Sequence, residues 1–181
     1  MNNPLSLEEI YNKYSAPEGS GDKGTAHSYI DNYYQKKFEP IRFNQLNILE
    51  IGVSTGLSLE MWAEYFPNSK ITGVEIKNIP YKPSNERINL VIGDATNART
   101  FVGYDNFDII IDDGSHLVGD QLISFAILFY KLKKDGIYVI EDVREIEKSS
   151  LIFNKLHENV KIYDYRKLKG RKDDVIVEVI K

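Results

Sequence analysis

The chain has 181 residues, no cysteine, 23 basic and 27 acidic side chains, and a formal net charge of −4. This length suits a single folded domain, and the missing thiols exclude disulfides, iron–sulfur clusters, thiolate zinc sites and cysteine nucleophiles. The mild acidity provides no positive field that would attract nucleic acid or an anionic membrane. Residues 1–4 show no basic and apolar leader, so a cytoplasmic protein is expected.

Two helices are predicted ahead of the first strand. Ser6-Leu-Glu-Glu9 has the spacing of a capping box and opens a short helix. After a loop at 15–24, Thr25 is expected to cap a helix that runs to about Phe38. Aromatic rings near a ligand provide flat apolar contact with a polar tip, and this helix carries three candidates: Tyr29, Tyr33 and Tyr34. Three other tyrosines are expected to pack in the core: Tyr65, Tyr130 and Tyr138.

From residue 46 onward, short apolar segments alternate with helical patterns, which indicates an α/β domain. Seven strands are predicted, at 46–51, 70–76, 87–93, 106–112, 137–141, 160–166 and 173–180. An amphipathic helix near Leu122 is expected to end at Asp135-Gly136. Only residues 167–172 separate the last two strands, which is too short for a parallel crossover and predicts an antiparallel hairpin.

The predicted fold is therefore a doubly wound, Rossmann-like sheet of seven strands, mostly parallel, with a C-terminal antiparallel hairpin and helices on both faces. Within a single domain, 1–181, we expect residues 1–44 to form a helical lid or substrate segment and residues 45–181 to form the ligand-binding core. Ligands of such sheets bind at the carboxyl ends of the strands, so the residues that follow each strand are the candidates for binding and chemistry.

The first strand ends in Glu50-Ile-Gly52-Val-Ser-Thr-Gly56, a glycine turn that opens a helix. Glycine lets the backbone turn tightly and lets a ligand approach the helix N-terminus. The spacing G-x-x-x-G differs from the G-x-G-x-x-G of nicotinamide dinucleotide sites. It resembles motif I of class I S-adenosylmethionine methyltransferases. In that motif the acid, here Glu50, lies near the amino-acid end of the cofactor, and the glycines, here Gly52 and Gly56, pass beneath it.

The ends of the next strands extend this cofactor prediction. Glu75 ends the second strand, where an ionised carboxylate can accept both ribose hydroxyls. Asp94 and Ala95 follow the third strand, where proteins with motif I hold the adenine. Asp112, at the end of the fourth strand, is also assigned to the cofactor side.

Acidic pairs follow the fourth and fifth strands, Asp112-Asp113 and Glu141-Asp142. Because these strands are neighbours in the predicted sheet, the carboxylates converge at one edge, where they repel one another if they are unpaired. Magnesium, a hard cation that favours oxygen ligands, resolves that conflict. His116, three residues after Asp113, is placed to accept a proton from a substrate hydroxyl near pH 7.

Together these segments resemble the magnesium-dependent sugar O-methyltransferases of macrolide biosynthesis, of the mycinamicin and macrocin type. The resemblance covers about residues 11–142. Its matching segments are Asp22-Lys-Gly24 with His27 and Tyr29, Phe38-Glu-Pro-Ile-Arg42, Leu49-Glu-Ile-Gly-Val53, Met61-Trp62 with Tyr65-Phe-Pro-Asn68, Ile109-Ile-Ile-Asp-Asp-Gly-Ser-His116, Gln121, and Ile140-Glu-Asp142.

The resemblance implies that Asp113, Glu141 and Asp142 ligate magnesium and that His116 is the general base. It also implies that residues 22–29 fold over S-adenosylmethionine and that the acceptor is a sugar or sugar conjugate. A homo-oligomer is one candidate assembly. After Asp142 the chain departs from the threonine, serine and aromatic residues common in relatives, so the acceptor is less well specified than the cofactor and the metal.

Two other functions fit the same residues. A metal-dependent methyltransferase of a catechol-like or other non-sugar diol needs the same acids and the same base. A non-catalytic protein of this fold would bind S-adenosylmethionine without turnover. A nucleic-acid methyltransferase is disfavoured by the acidic balance of the chain.

Overall fold

The computed structural model describes residues 4–14 and 21–181. Its α-helices are α1 (Leu7–Tyr14), α2 (Gln35–Phe38), α3 (Leu57–Tyr65), α4 (Val118–Leu128), α5 (Ile146–Phe153) and α6 (Arg166–Lys169). Its strands are β1 (Asn47–Ile51), β2 (Lys70–Glu75), β3 (Ile88–Ile92), β4 (Phe107–Asp112), β5 (Leu132–Ile140), β6 (Val160–Asp164) and β7 (Val175–Ile180).

The strands form one sheet in the order β3-β2-β1-β4-β5-β7-β6. Strands β1 to β5 pair in parallel, and β7 runs antiparallel to both β5 and β6. The predicted seven-stranded sheet with an antiparallel C-terminal pair is confirmed, with β7 inserted between β5 and β6. The strand order reverses between β1 and β4, and ligands bind beside the carboxyl ends of strands at such a switch point.

Alternate residues of the strands face two apolar cores, one on each side of the sheet. Ile48 and Ile109 pack with Trp62 of α3, whereas Leu49 packs with Phe125 of α4. The N-terminal helices cover the first face, so they lie against the same side of β1 as α3 does. No helix within residues 4–14 and 21–181 has both the length and the apolar composition needed to cross a bilayer.

The first helix begins as predicted. The Ser6 amide donates to Glu9 Oε2 (2.7 Å) and the Glu9 amide donates to Ser6 Oγ (3.1 Å), which is the reciprocal bonding of a capping box. The loop predicted at 15–24 lies outside the described residues over 15–20.

The second predicted helix, over 25–38, is wrong in its first part. Residues 22–29 form a tight turn, in which the His27 amide donates to Asp22 O (2.7 Å). The helix itself runs through a π-helical turn, Ile30–Tyr34, and then α2. Long-range burial overrides the local pattern here, because the turn buries three side chains against the rest of the fold: Lys23, His27 and Tyr29.

Strand β5 begins at Leu132, five residues before its predicted start, so the helix end expected at Asp135-Gly136 is wrong. Asp135 has a φ of 62° inside the strand, and the pairing of β4 with β5 shifts register between Phe107 and Ile109. The Asp-Gly pair forms an irregularity within the strand. Such an irregularity uses the same left-handed backbone conformation as the end of a helix, so the pair fits both structures.

Two of the three tyrosines expected in the core, Tyr65 and Tyr138, are buried, which confirms that prediction for them. Tyr130 is 84% exposed, so its assignment to the core is wrong. It lies in a 3-10 turn, Phe129–Lys131, that follows the last residue of α4. The helical spacing that placed it in the core therefore no longer applies at its position.

Candidate active site

The carboxyl ends of β1, β4 and β5 bring the predicted acids together. Ile51 lies opposite Asp112, and Asp112 lies opposite Ile140. The Asp113 amide donates to Ile51 O (3.0 Å) and the Glu141 amide donates to Asp112 O (2.9 Å), so the chain stays paired past each strand end. The two acidic pairs are therefore neighbours at one edge of the sheet.

His116 lies between two of these acids. Its Nε2 is 3.1 Å from Asp113 Oδ1 and its Nδ1 is 3.6 Å from Asp142 Oδ2. The hydrogen bond with Asp113 raises the pKa of His116 above its ordinary value. Candidate ligand atoms of Asp113, His116 and Asp142 lie within 4.8 Å of one another. His116 (φ 57°) and Asp142 (φ 54°) both adopt left-handed backbone, and such strain is concentrated at functional sites.

Lys23 is a buried cation in this cluster. Its Nζ lies 2.6 Å from Asp113 Oδ2, 2.7 Å from Glu141 Oε1 and 3.4 Å from Glu50 Oε1. Burial disfavours its charge, but the attraction of the three carboxylates outweighs burial and raises the pKa of Lys23. Sequence reasoning assigned Lys23 no role. The sequence signal that could have indicated a role for Lys23 was its position in the Asp22-Lys-Gly24 segment.

The carboxylates outnumber this cation, and three of them have raised pKa values, chiefly because they are buried. Burial raises the pKa of Glu141, and the charges of Asp113 and Asp142 raise it further despite Lys23. Burial also raises the pKa values of Glu50 and Asp142. For Asp113, burial opposes the charge, but Lys23 lowers its pKa below the ordinary value. A divalent cation at this edge would offset the surplus charge.

Two of the N-terminal tyrosines contact the acids directly. The Tyr29 hydroxyl donates to Asp142 Oδ1 at 2.7 Å, and the Tyr34 hydroxyl donates to Glu141 Oε1. Both rings are fully buried, so they support the acids rather than present a surface to a ligand. His27 is also buried, with Nδ1 3.2 Å from Asp142 Oδ1.

Two cavities meet beside the glycine turn. The first, of about 530 Å³, reaches the acid cluster at Lys23, Asp113 and His116. The second, of about 460 Å³, contains three residues that were predicted to bind the cofactor: Asp94, Ala95 and Asp112. Both cavities share a wall made by three residues: Gly52, Glu75 and Gly114.

The turn itself requires glycine at both predicted positions. Gly52 and Gly56 have φ values of 87° and 85°, which side chains rarely adopt. A Cβ on Gly52 would lie 2.0 Å from Asp113 O, and a Cβ on Gly56 would lie 2.3 Å from the ring of Tyr81. Gly52 therefore permits close approach of the β1 turn to the segment that carries Asp113.

Glu75 and Asp94 both lie on cavity walls and both accept backbone hydrogen bonds. Glu75 Oε2 accepts from the amides of Val53 (3.1 Å) and Ser54 (3.0 Å), which ties the end of β2 to the glycine turn. Asp94 Oδ1 accepts from the amide (2.8 Å) and the hydroxyl (2.7 Å) of Thr96, and these bonds lower the pKa of Asp94.

Glu50 and Asp112 are buried more deeply. Glu50 Oε2 accepts from the Ser58 hydroxyl (2.8 Å), and Oε1 lies 3.4 Å from Trp62 Nε1. Ser58 lines the first cavity, so Glu50 contacts the wall of that cavity through Ser58 without lining it. Burial raises the pKa of Asp112 to about 7, and its Oδ2 accepts from the Tyr138 hydroxyl at 3.3 Å.

No protein-family model matches the chain. Over 148 residues it is 35% identical to mycinamicin VI 2''-O-methyltransferase of Micromonospora griseorubida. Over 148 residues it is 32% identical to demethylmacrocin O-methyltransferase of Streptomyces fradiae. Each match covers 76% of this chain and 36% of the relative, so the chain spans about a third of the length of the curated relatives it matches.

Solved structures give the same similarity. The MycE methyltransferase from the mycinamycin biosynthetic pathway, in complex with Mg, SAH and mycinamycin VI, is 28% identical with a TM-score of 0.76. That match covers 99% of this chain and 55% of the other. The resemblance that the sequence segments indicated is therefore confirmed in both sequence and fold.

Proposed function

Because the chain resembles the sugar O-methyltransferases of macrolide biosynthesis in sequence and in fold, we propose that it is a magnesium-dependent and S-adenosylmethionine-dependent O-methyltransferase acting on a hydroxyl of a sugar or sugar conjugate. The observation that carries the proposal is the grouping of Asp113, His116 and Asp142 beside the first cavity. A metal site and a base then lie at the same end of a space large enough for a small ligand.

The two cavities and their shared wall fit S-adenosylmethionine. Gly52 lies on the shared wall, and its lack of a side chain lets the glycine turn pack directly against the backbone of Asp113. We assign Gly52, Gly56 and Glu50 to the amino-acid end of the cofactor and Glu75 to the ribose. Asp94, Ala95 and Asp112 line the second cavity and are assigned to the adenosine end.

The acid cluster fits magnesium in the chemistry of its donors. Carboxylate oxygens are the ligands that magnesium favours, and the single ammonium of Lys23 faces three carboxylates. We assign Asp113, Glu141 and Asp142 as the ligands. Lys23 and Tyr34 both contact Oε1 of Glu141. We therefore assign Oε2 of Glu141 as the oxygen that would bind the cation.

When bound, S-adenosylmethionine supplies the methyl group and magnesium supplies positive charge beside the acceptor hydroxyl. His116 accepts the proton of that hydroxyl at Nδ1. Its Nε2 donates to Asp113 Oδ1 (3.1 Å), which selects the tautomer, and Nδ1 lies too far from Asp142 Oδ2 (3.6 Å) for a hydrogen bond. Asp113 thus orients the base, and we assign the role of a lid to the N-terminal segment, whose Lys23 lines the first cavity.

The test is transfer of a methyl group from S-adenosylmethionine to a panel of free, nucleotide-activated and glycosidic sugars, with and without excess chelator. We expect turnover that chelation abolishes and added Mg²⁺ restores, and an Asp113→Asn variant that loses at least a hundredfold. Full activity in excess chelator would overturn the role of the metal. Turnover only on catechol-like diols would show that the acceptor is a non-sugar diol instead of a sugar. Cofactor binding without turnover on any acceptor would favour a non-catalytic protein.

A further inference from the structure

The N-terminal segment contacts two of the assigned ligands through one oxygen of each. The Tyr29 hydroxyl donates to Asp142 Oδ1 at 2.7 Å. The Tyr34 hydroxyl donates to Glu141 Oε1, the same oxygen that Lys23 contacts. Both tyrosines come from the segment ahead of β1, whereas both acids follow β5, so these hydrogen bonds join distant parts of the chain.

The second oxygen of Asp142 points toward the cavity side of the cluster. Asp142 Oδ2 lies 3.6 Å from His116 Nδ1, and His116 lines the first cavity. The carboxylate is therefore divided, with Oδ1 toward the buried tyrosine and Oδ2 toward the proposed site of chemistry. For Glu141, the contacts of Tyr34 and Lys23 both fall on Oε1, which leaves Oε2 on the opposite side of that carboxylate.

The two hydroxyls are held rigidly by the packing of their rings. The Tyr34 ring packs edge-on against Trp62, with centroids 5.1 Å apart, and the Tyr29 ring stacks on His27 at 4.9 Å. Each hydroxyl therefore acts as a fixed donor.

We propose that Tyr29 and Tyr34 are positioning residues of the metal site, each holding one oxygen of a ligand carboxylate so that the other oxygen is presented to the cation. A carboxylate group rotates about the bond that joins it to the rest of the side chain, and a fixed donor on one oxygen sets the orientation of its plane. Loss of such an outer hydrogen bond typically weakens metal affinity 10- to 100-fold. This inference rests on the proposed function, because it takes Glu141 and Asp142 as ligands.

The test compares Tyr29→Phe and Tyr34→Phe with a matched control, Tyr33→Phe. Tyr33 is equally buried, and its hydroxyl donates at 2.7 Å to the carboxylate of Glu178, which lies on β7 away from the acid cluster. Titration calorimetry with MgCl₂ gives the Kd without any need for an acceptor. We expect the Kd to rise about tenfold or more for Tyr29→Phe and for Tyr34→Phe, and to change less than about twofold for Tyr33→Phe.

Binding of S-adenosylhomocysteine and the melting temperature serve as readouts of folding. We expect the first two variants to keep their affinity for S-adenosylhomocysteine, because neither hydroxyl contacts the glycine turn. Two results would overturn the positioning role and leave the proposed function standing. One is magnesium binding equal to that of wild type, and the other is a parallel loss of Mg²⁺ binding and S-adenosylhomocysteine binding. A wild-type protein that binds S-adenosylhomocysteine but no Mg²⁺ would remove the metal from the proposed function and this inference with it.

Discussion

The Lys23 ammonium lies 2.6 Å from Asp113 Oδ2, although the two residues are 90 positions apart in the chain. The Lys23 side chain is only 5% exposed and also contacts Glu141 and Glu50. One cation therefore joins the N-terminal segment to the ends of three strands, β1, β4 and β5, and it is the internal counter-ion of the acid cluster.

Replacing Lys23 by methionine is expected to lower the free energy of unfolding by about 3–5 kcal/mol, because removing one partner of a buried ion pair leaves uncompensated buried charge. Denaturant unfolding without divalent cations measures it. The control is Lys13→Met, since Lys13 is 57% exposed and pairs with Glu64 at the surface. That change should cost less than about 1 kcal/mol. Equal losses in the two variants would contradict a special role for Lys23.

Gly52→Ala is expected to disturb the glycine turn together with Asp113, one of the proposed metal ligands. The added Cβ would lie 2.0 Å from Asp113 O, in addition to the strain of a φ of +87°. Gly103→Ala is the matched control, because Gly103 has a φ of +84° and a Cβ added there would meet no other atom within 4 Å.

The Gly103 change should cost about 1–2 kcal/mol, the cost of left-handed backbone alone. Gly52→Ala should cost more and should weaken binding of S-adenosylhomocysteine by at least about tenfold, since the wall shared by both cavities must shift. Thermal unfolding and calorimetry measure the two effects. Similar stability and intact cofactor binding in both variants would show that the close approach at Gly52 is unimportant.

His116→Ala is expected to separate catalysis from metal binding. As a general base, His116 contributes a rate factor of about 10²–10⁴, so turnover should fall by that amount while the Kd for Mg²⁺ changes less than about threefold. Steady-state kinetics and calorimetry with MgCl₂ provide the two measurements. Loss of magnesium binding would instead make His116 a ligand, a role that its distance from Asp113 and Asp142 also permits.

Glu75→Gln is expected to weaken cofactor binding selectively. The two ribose hydroxyls need acceptors, and an amide replaces one acceptor oxygen with a donor. Affinity for S-adenosylhomocysteine should fall by about tenfold or more, the loss of about one charged hydrogen bond, while Mg²⁺ binding should stay at the wild-type level. Unchanged affinity for S-adenosylhomocysteine would remove Glu75 from the ribose site.

Much of the fold could be predicted because its pattern is local. Short apolar strands alternate with helices, and the short 167–172 connection requires an antiparallel pair. The predictions failed where one motif serves two structures, as with Asp135-Gly136 inside β5. They also failed at residues 22–29, where contacts with distant residues outweigh the helical tendency of the segment.

The sequence by itself determined which acids meet. Asp113, Glu141 and Asp142 each follow a parallel strand, and the carboxyl ends of adjacent parallel strands lie at one edge of the sheet. Only the tertiary structure decided which oxygens of these acids are held and by which donors. Lys23, Tyr29 and Tyr34 reach these carboxylates across 90 to 118 residues of chain. Local spacing carries no record of such contacts, because packing of the N-terminal segment on the sheet creates them.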